Sequence, residues 1–182
     1  MNGANVNQTR RRLLRQSLLS LPLLICGSQT VRAMAAGGPM PFEPLDWSDA
    51  QWRELLSSEQ FRVLRQDGTE RAGSSPLNDE KRAGTYICAG CFLPLFSSEH
   101  KYESGTGWPS FWRPLAEDHI ATRRDFRLIW PRTEYHCARC GGHQGHVFDD
   151  GPQPTGQRWC NNGVALRFVP GDEALPELRR RP

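Results

Sequence analysis

A chain of 182 residues, 37% hydrophobic and 24% charged, has room for one domain with a real core and a short leader. Its formal charge of +3 sits at the start: Arg10, Arg11, Arg12, Arg15 and Arg32 fall in residues 1–35, which hold no Asp or Glu, leaving 18 basic against 20 acidic residues beyond them. That remainder lacks the concentrated positive field that non-specific nucleic-acid binding needs, so no nucleic-acid partner is expected.

Residues 1–35 read as a targeting segment. Thr9-Arg10-Arg11-Arg12-Leu13-Leu14 leads into an apolar stretch from Leu18 to Ile25, and Ala33-Met34-Ala35 offers small residues for cleavage. Ser20 and Pro22 interrupt a stretch already too short to span a bilayer, so no stable membrane anchor is expected. The Thr-Arg-Arg-x-Leu-Leu pattern resembles a bacterial twin-arginine signal, which exports folded proteins; a Sec signal is the alternative. The expected destination is the periplasm. Cys26 follows the bulky Ile25 and reads as an apolar leader residue, not a lipidation site.

Residues 36–46, rich in Gly and Pro, form a linker on this reading. Two short helices follow. Ser48 with Gln51, and Ser57 with Gln60, are capping-box pairs ahead of apolar positions at Trp52, Leu55 and Leu56, then Phe61 and Leu64. After Gly68 the chain turns to short strand-like runs broken by Gly, Pro, Asn and Asp. The clearest strand is Val164-Ala165-Leu166-Arg167-Phe168-Val169. The tail, residues 171–182, has little to bury and is expected to be flexible.

Five cysteines lie beyond the leader, and four form two Cys-x-x-Cys pairs, Cys88 with Cys91 and Cys137 with Cys140. Two residues between thiolates let both sulfurs face one metal, and two such turns complete a closed, structural zinc shell. Two disulfides or a redox-active pair compete, particularly in an exported protein. A thioredoxin-like site, however, has one such pair opening a helix, not a matched set beside strands.

Cys160 is left alone, and an odd cysteine is either a reactive thiol or an inert buried one, the inert reading being favoured until its neighbours are considered. Arg158, two residues earlier, shares its side of an extended segment and favours a thiolate there. His143 and His146 could supply proton donors near neutral pH, with Asp150 available to orient one of them; two histidines three apart also fit a metal site or a turn with satisfied polar groups. His100, His119 and His136 read as surface or packing residues.

Gly107-Trp108-Pro109-Ser110-Phe111, the run from Cys137 through His143 and His146 to Asp150-Gly-Pro, and Gly156-x-Arg158-x-Cys160-x-Asn162 together resemble the methionine-R-sulfoxide reductases of the B type. The likeness runs from Trp47 to Pro170 and marks 47–170 as the catalytic domain. It implies a mainly β fold with short N-terminal helices, two antiparallel sheets in a β-tent-like arrangement, and one structural zinc. It implies that Cys160 attacks the sulfoxide sulfur of oxidised methionine, free or in proteins, and becomes a sulfenic acid. His143, His146 and Asp150 would then surround the sulfoxide oxygen, Arg158 and Asn162 would hold the nucleophile, and Trp108 would form the wall for the substrate methyl group. Many members carry a resolving cysteine just before the Gly-Trp-Pro-Ser-Phe motif, where this chain has Thr106. The expected reductant is therefore an external one, a small thiol or a thioredoxin-like protein, acting on a monomer. Gln144 stands for a usual leucine, Asn161 for an aliphatic residue, Gly163 for a serine, and Trp159 for tyrosine or phenylalanine.

Overall fold

Both helices start at the caps read from the sequence. Ser48 caps α1 (Asp49–Leu55) and Ser57 caps α2 (Ser58–Gln66). Each serine oxygen accepts the N–H of the glutamine three residues on, whose side chain accepts from the serine N–H in return. The computed structural model describes residues 42–126 and 131–180. The expected leader at 1–35, the first residues of the expected linker and the last two of the tail lie outside these. Two points tie residues 42–46 of the linker to the domain: Phe42 is buried, and the Leu45 N–H donates to the Arg139 carbonyl at 2.6 Å.

Nine strands follow among the described residues: β1 (Gly84–Cys88), β2 (Pro94–Ser97), β3 (Lys101–Tyr102), β4 (Ser110–Phe111), β5 (Ile120–Asp125), β6 (Arg132–Cys137), β7 (His143–Phe148), β8 (Arg158–Asn161) and β9 (Leu166–Pro170). They form two antiparallel sheets, as expected, in the orders β2-β1-β9 and β3-β4-β8-β7-β6-β5. An aromatic core joins them. Tyr86 and Phe96 of the first sheet meet Phe111 of the second with ring centroids 5.0 and 4.3 Å apart, and Phe96 also meets Tyr135, which meets Trp159. These five rings are buried.

Two boundaries differ from the sequence reading. The last strand begins at Leu166, not Val164, because Gly163–Ala165 forms a 3-10 turn. The Gly163 and Val164 N–H groups donate to the Glu70 carboxylate and have no ladder partner to seek. The tail, expected to be flexible, is tied down at its described end. Leu178 packs on the core, the Arg179 N–H donates to the Cys91 carbonyl at 3.1 Å, and Arg139 donates to the Arg179 carbonyl at 2.7 Å.

Candidate active site and metal centre

Strand alternation places the chemistry. In β8, Trp159 points into the aromatic core, so Arg158 and Cys160 point to the opposite face. Cys160 sits opposite Ser110 of β4 and His146 of β7; Glu134 of β6 lies opposite His146 in turn, and Arg123 of β5 opposite Glu134. One face of the second sheet therefore carries a continuous polar row. β7 and β8 approach closely: a Cβ at Gly145 would stand 1.9 Å from the Cys160 carbonyl oxygen, so only glycine fits there. Backbone bonds pin both residues after Cys160, from the Asn161 N–H to the Pro109 carbonyl and from the Asn162 N–H to the Gln144 carbonyl.

Cys160 opens onto a cavity of about 100 Å³ lined by Thr69, Trp108, Arg132, His146, Phe148 and Asn162, among others. Burial pushes its thiol above the ordinary range; Arg158 and the Thr106 hydroxyl pull it back part of the way. Arg158 is only partly available for this task. Its Nε and Nη2 each donate to the Asp150 carboxylate at 2.8 Å, and its guanidinium lies 4.3 Å from the Phe148 ring centre. Asp150, expected beside a histidine, is thus the partner of Arg158, which holds its carboxyl below the usual range.

The histidines take other acids. His146 Nε2 is 2.8 Å from Asp125 Oδ2, and Arg132 donates to the same oxygen at 2.7 Å. Burial lowers the His146 pKa, against the pull of Asp125. His143 is 1% exposed and lies behind the cavity rather than in its wall. Its Nδ1 meets Glu134 Oε1, which also meets His136 Nε2 at 3.0 Å. Burial works against the charge on Glu134, but Arg123, His136 and His143 hold its carboxyl below the ordinary range. The donor atoms of Asp67, Glu134, His136 and His143 gather closely enough for a cation. Arg123 already bridges Asp67 and Glu134, at 2.9 and 2.8 Å, so the protein supplies that cation itself.

The four paired cysteines converge. Cys88 closes β1 in the first sheet and Cys137 closes β6 in the second. Both make the same turn. The N–H four residues on donates to the cysteine carbonyl, the cysteine N–H donates to the carbonyl five residues on, and the fourth residue, Phe92 or Gly141, takes φ 68°. The sulfurs of Cys88 and Cys140 are 3.7 Å apart and those of Cys91 and Cys137 3.4 Å. Disulfides are far shorter, at about 2.05 Å. Four sulfurs at about 2.3 Å from a tetrahedral zinc would stand roughly 3.8 Å apart, so the donor set fits a metal ion.

A family pattern described as the SelR domain matches residues 56–170. Relatives named peptide methionine sulfoxide reductase MsrB include those of Hahella chejuensis, 52% identical over 69% of this chain and 90% of the relative, and Leptospira interrogans, 50% identical over 66% and 92%. A third, from Bradyrhizobium diazoefficiens, is 51% identical over 68% and 88%. The chain belongs to the methionine sulfoxide reductase B family. It is accordingly an oxidoreductase.

Set against that family, the structure brings Cys160, Trp108, His146 and Asn162 to one cavity, with Arg158 and Asp150 beside it and His143 behind Asn162. Glu70, Asp125 and Glu134 are further members of the site that the sequence reading did not single out. The available signal was slight: Thr133-Glu134-Tyr135-His136 alternates, which puts Glu134 and His136 on one face, but says nothing of which ring meets which acid. Two departures from the family pattern find their reasons here. A Cβ at Gly163 would stand 1.9 Å from Ser75 Oγ and 2.5 Å from Ser75 Cβ, so Ser75 has taken the room a larger residue needs. Gln144 is fully buried between the two centres: its Nε2 donates to Cys88 Sγ at 3.4 Å while its carbonyl accepts from Asn162.

Proposed function

We propose that this protein reduces the R epimer of methionine sulfoxide, free or in proteins, through a sulfenic acid on Cys160. The supporting observation is the cavity in which Cys160 meets Trp108, His146 and Asn162, in a chain whose relatives are named peptide methionine sulfoxide reductases. Cys160 attacks the sulfoxide sulfur, the S–O bond breaks, and oxygen ends on Cys160. The substrate sulfur gains two electrons and becomes a thioether; the cysteine sulfur loses two. The proton leaving the thiol is the one the oxygen needs. His146, neutral because burial lowers its pKa, accepts that proton and passes it on, with Asp125 fixing the ring. Arg158 favours the thiolate and Asp150 orients Arg158, while Asn162 lines the cavity beside Cys160 and His143 supports Asn162 from behind. Trp108 forms the apolar wall against the methyl group.

Recycling takes an external reductant, either a small thiol or a thioredoxin-like protein. Thr106 lies against Cys160 and forms no disulfide, and the remaining described cysteines belong to the metal centre. One thiol attacks the sulfenic sulfur and releases water; a second frees Cys160 and leaves the reductant as its disulfide. Cys88, Cys91, Cys137 and Cys140 hold one structural zinc. The enzyme works as a monomer in the bacterial periplasm after export on the residue 1–35 leader, a reading supported by Thr9 to Leu14. Cell fractionation with mass measurement of the mature N-terminus tests it, and retention of the leader on cytoplasmic protein would count against it.

The decisive assay is turnover of each sulfoxide epimer with dithiothreitol, comparing the protein with Cys160→Ser. Only the R epimer is expected to react, and the variant to lose activity by orders of magnitude. Near-normal turnover by the variant would remove Cys160 from the mechanism, and equal turnover of both epimers would remove the role of Trp108. After one turnover without reductant, dimedone is expected to label Cys160. An internal disulfide would instead count against the external thiol.

A further inference from the structure

The Asn162 carboxamide has one permitted orientation. The Glu70 backbone N–H, which can only donate, lies 3.0 Å from Asn162 Oδ1, and the Gln144 carbonyl, which can only accept, lies 2.9 Å from Asn162 Nδ2. Turning the amide over would break both bonds. Asn162 therefore presents an N–H donor to His143, whose Nε2 is 3.5 Å from Nδ2. On its other side, His143 Nδ1 meets the Glu134 carboxylate. The carboxylate calls for a proton on Nδ1, and the amide calls for a lone pair on Nε2. Both neighbours select the same neutral tautomer.

Glu70 is where these restraints meet. It is buried, and each of its polar groups holds a different part of the site. The N–H fixes Asn162. The carbonyl accepts the Trp108 indole N–H at 3.3 Å. The carboxylate accepts the N–H groups of Gly163 at 2.6 Å and Val164 at 2.9 Å, clamping the turn that follows Asn162. We infer that Glu70 is a positioning residue of the reductase reaction: by clamping residues 162–164 it orients the Asn162 amide, and through that amide it holds the Nε2 side of His143, while Glu134 holds the proton on Nδ1. Glu70 touches no reacting atom. The inference rests on the reductase reading for its kinetic consequence, but not for the tautomer.

Glu70→Gln keeps the size of the side chain and one accepting oxygen. Its amide nitrogen would oppose a backbone N–H, donor against donor, so the turn must shift. The experiment is long-range proton–nitrogen NMR of the metal-loaded protein labelled in its histidines, alongside kinetics on both proteins at a temperature where each is folded. The wild type is expected to carry the His143 proton on Nδ1. Glu70→Gln is expected to shift the His143 Nε2 resonance as the Asn162 amide moves, while Glu134 keeps the proton on Nδ1, and to lose kcat roughly tenfold to a hundredfold; KM should change little, because the carbonyl that anchors Trp108 belongs to the backbone and is kept. An Nε2-protonated His143 in the wild type would overturn the inference without any variant, which covers a Glu70→Gln protein that does not fold. An unchanged His143 Nε2 resonance, or an unchanged kcat, in a folded Glu70→Gln would overturn it too. Failure of the reductase reading shows separately, as a wild type that turns over neither epimer.

Discussion

Arg158 has two carboxylate bonds on one side and the Cys160 thiol on the other, and the balance between them sets how readily that thiol ionises. Burial raises the thiol pKa above its ordinary value, so the resting enzyme holds little thiolate at neutral pH, and the thiolate fraction grows as pH rises through the raised pKa. Arg158 lowers that pKa; removing it moves the midpoint higher still. Alkylation of Cys160 by iodoacetamide is therefore expected to accelerate across the alkaline range with a midpoint above that of a free cysteine. Arg158→Met should slow it at pH 8 by roughly threefold to tenfold, since one unit of pKa is tenfold in thiolate. An alkylation midpoint at or below neutral, or no effect of the substitution, would show that Arg158 does not govern the thiol. Cys160, Arg158 and the Cys-x-x-Cys pairs were legible in the sequence because their chemistry depends on neighbours two or three positions away. Asp125, Glu134 and Glu70 were not. Asp125 meets His146 across 21 positions and Glu70 meets Gly163 across 93, contacts that only the strand register and the turn between sheets create.

Local elements divide the same way. The starts of the two helices were readable to the residue because a capping box is complete within four positions, and both boxes form. The start of β9 was misread, because its apolar alternation begins before a turn that Glu70 has already captured. That turn also carries a strain test. Ser75 Oγ and Cβ stand where a side chain at Gly163 would go, so the glycine and the serine form a matched pair. Gly163→Ser alone is expected to destabilise the fold by about 1–3 kcal/mol, the usual cost of overpacking a filled site. Combined with Ser75→Gly, which clears both atoms, most of that loss should return, giving a favourable coupling in a double-mutant cycle followed by denaturant unfolding. Additive effects would mean that the two positions do not share the space. The coupling should appear in activity as well, because the same turn holds Asn162.

At the scale of the whole molecule, the two sheets share an aromatic core but meet covalently demanding geometry only at the cysteines. One turn ends β1 of the first sheet and the other ends β6 of the second, and the latter leads directly into β7, which carries His143, Gln144 and His146. A metal there joins distant parts of the chain, and Gln144 extends its influence toward Asn162 through one side chain and one carbonyl. Elemental analysis should find one zinc per chain. Stripping it, or replacing Cys140 by serine, should lower the thermal midpoint by roughly 10 °C or more, because a structural zinc contributes many kcal/mol to folding and each kcal/mol moves a domain of this size by about 2–4 °C. Acid should act in the same direction, since protons compete with the metal for thiolates and affinity falls with pH. Activity is expected to fall in step with metal content although Cys160 lies outside the donor set, and to return when zinc is restored. A metal-free protein with an unchanged midpoint, whose four cysteines titrate as two disulfides, would show that the fold is stapled by sulfur bonds and that β7 owes its order to the aromatic core alone.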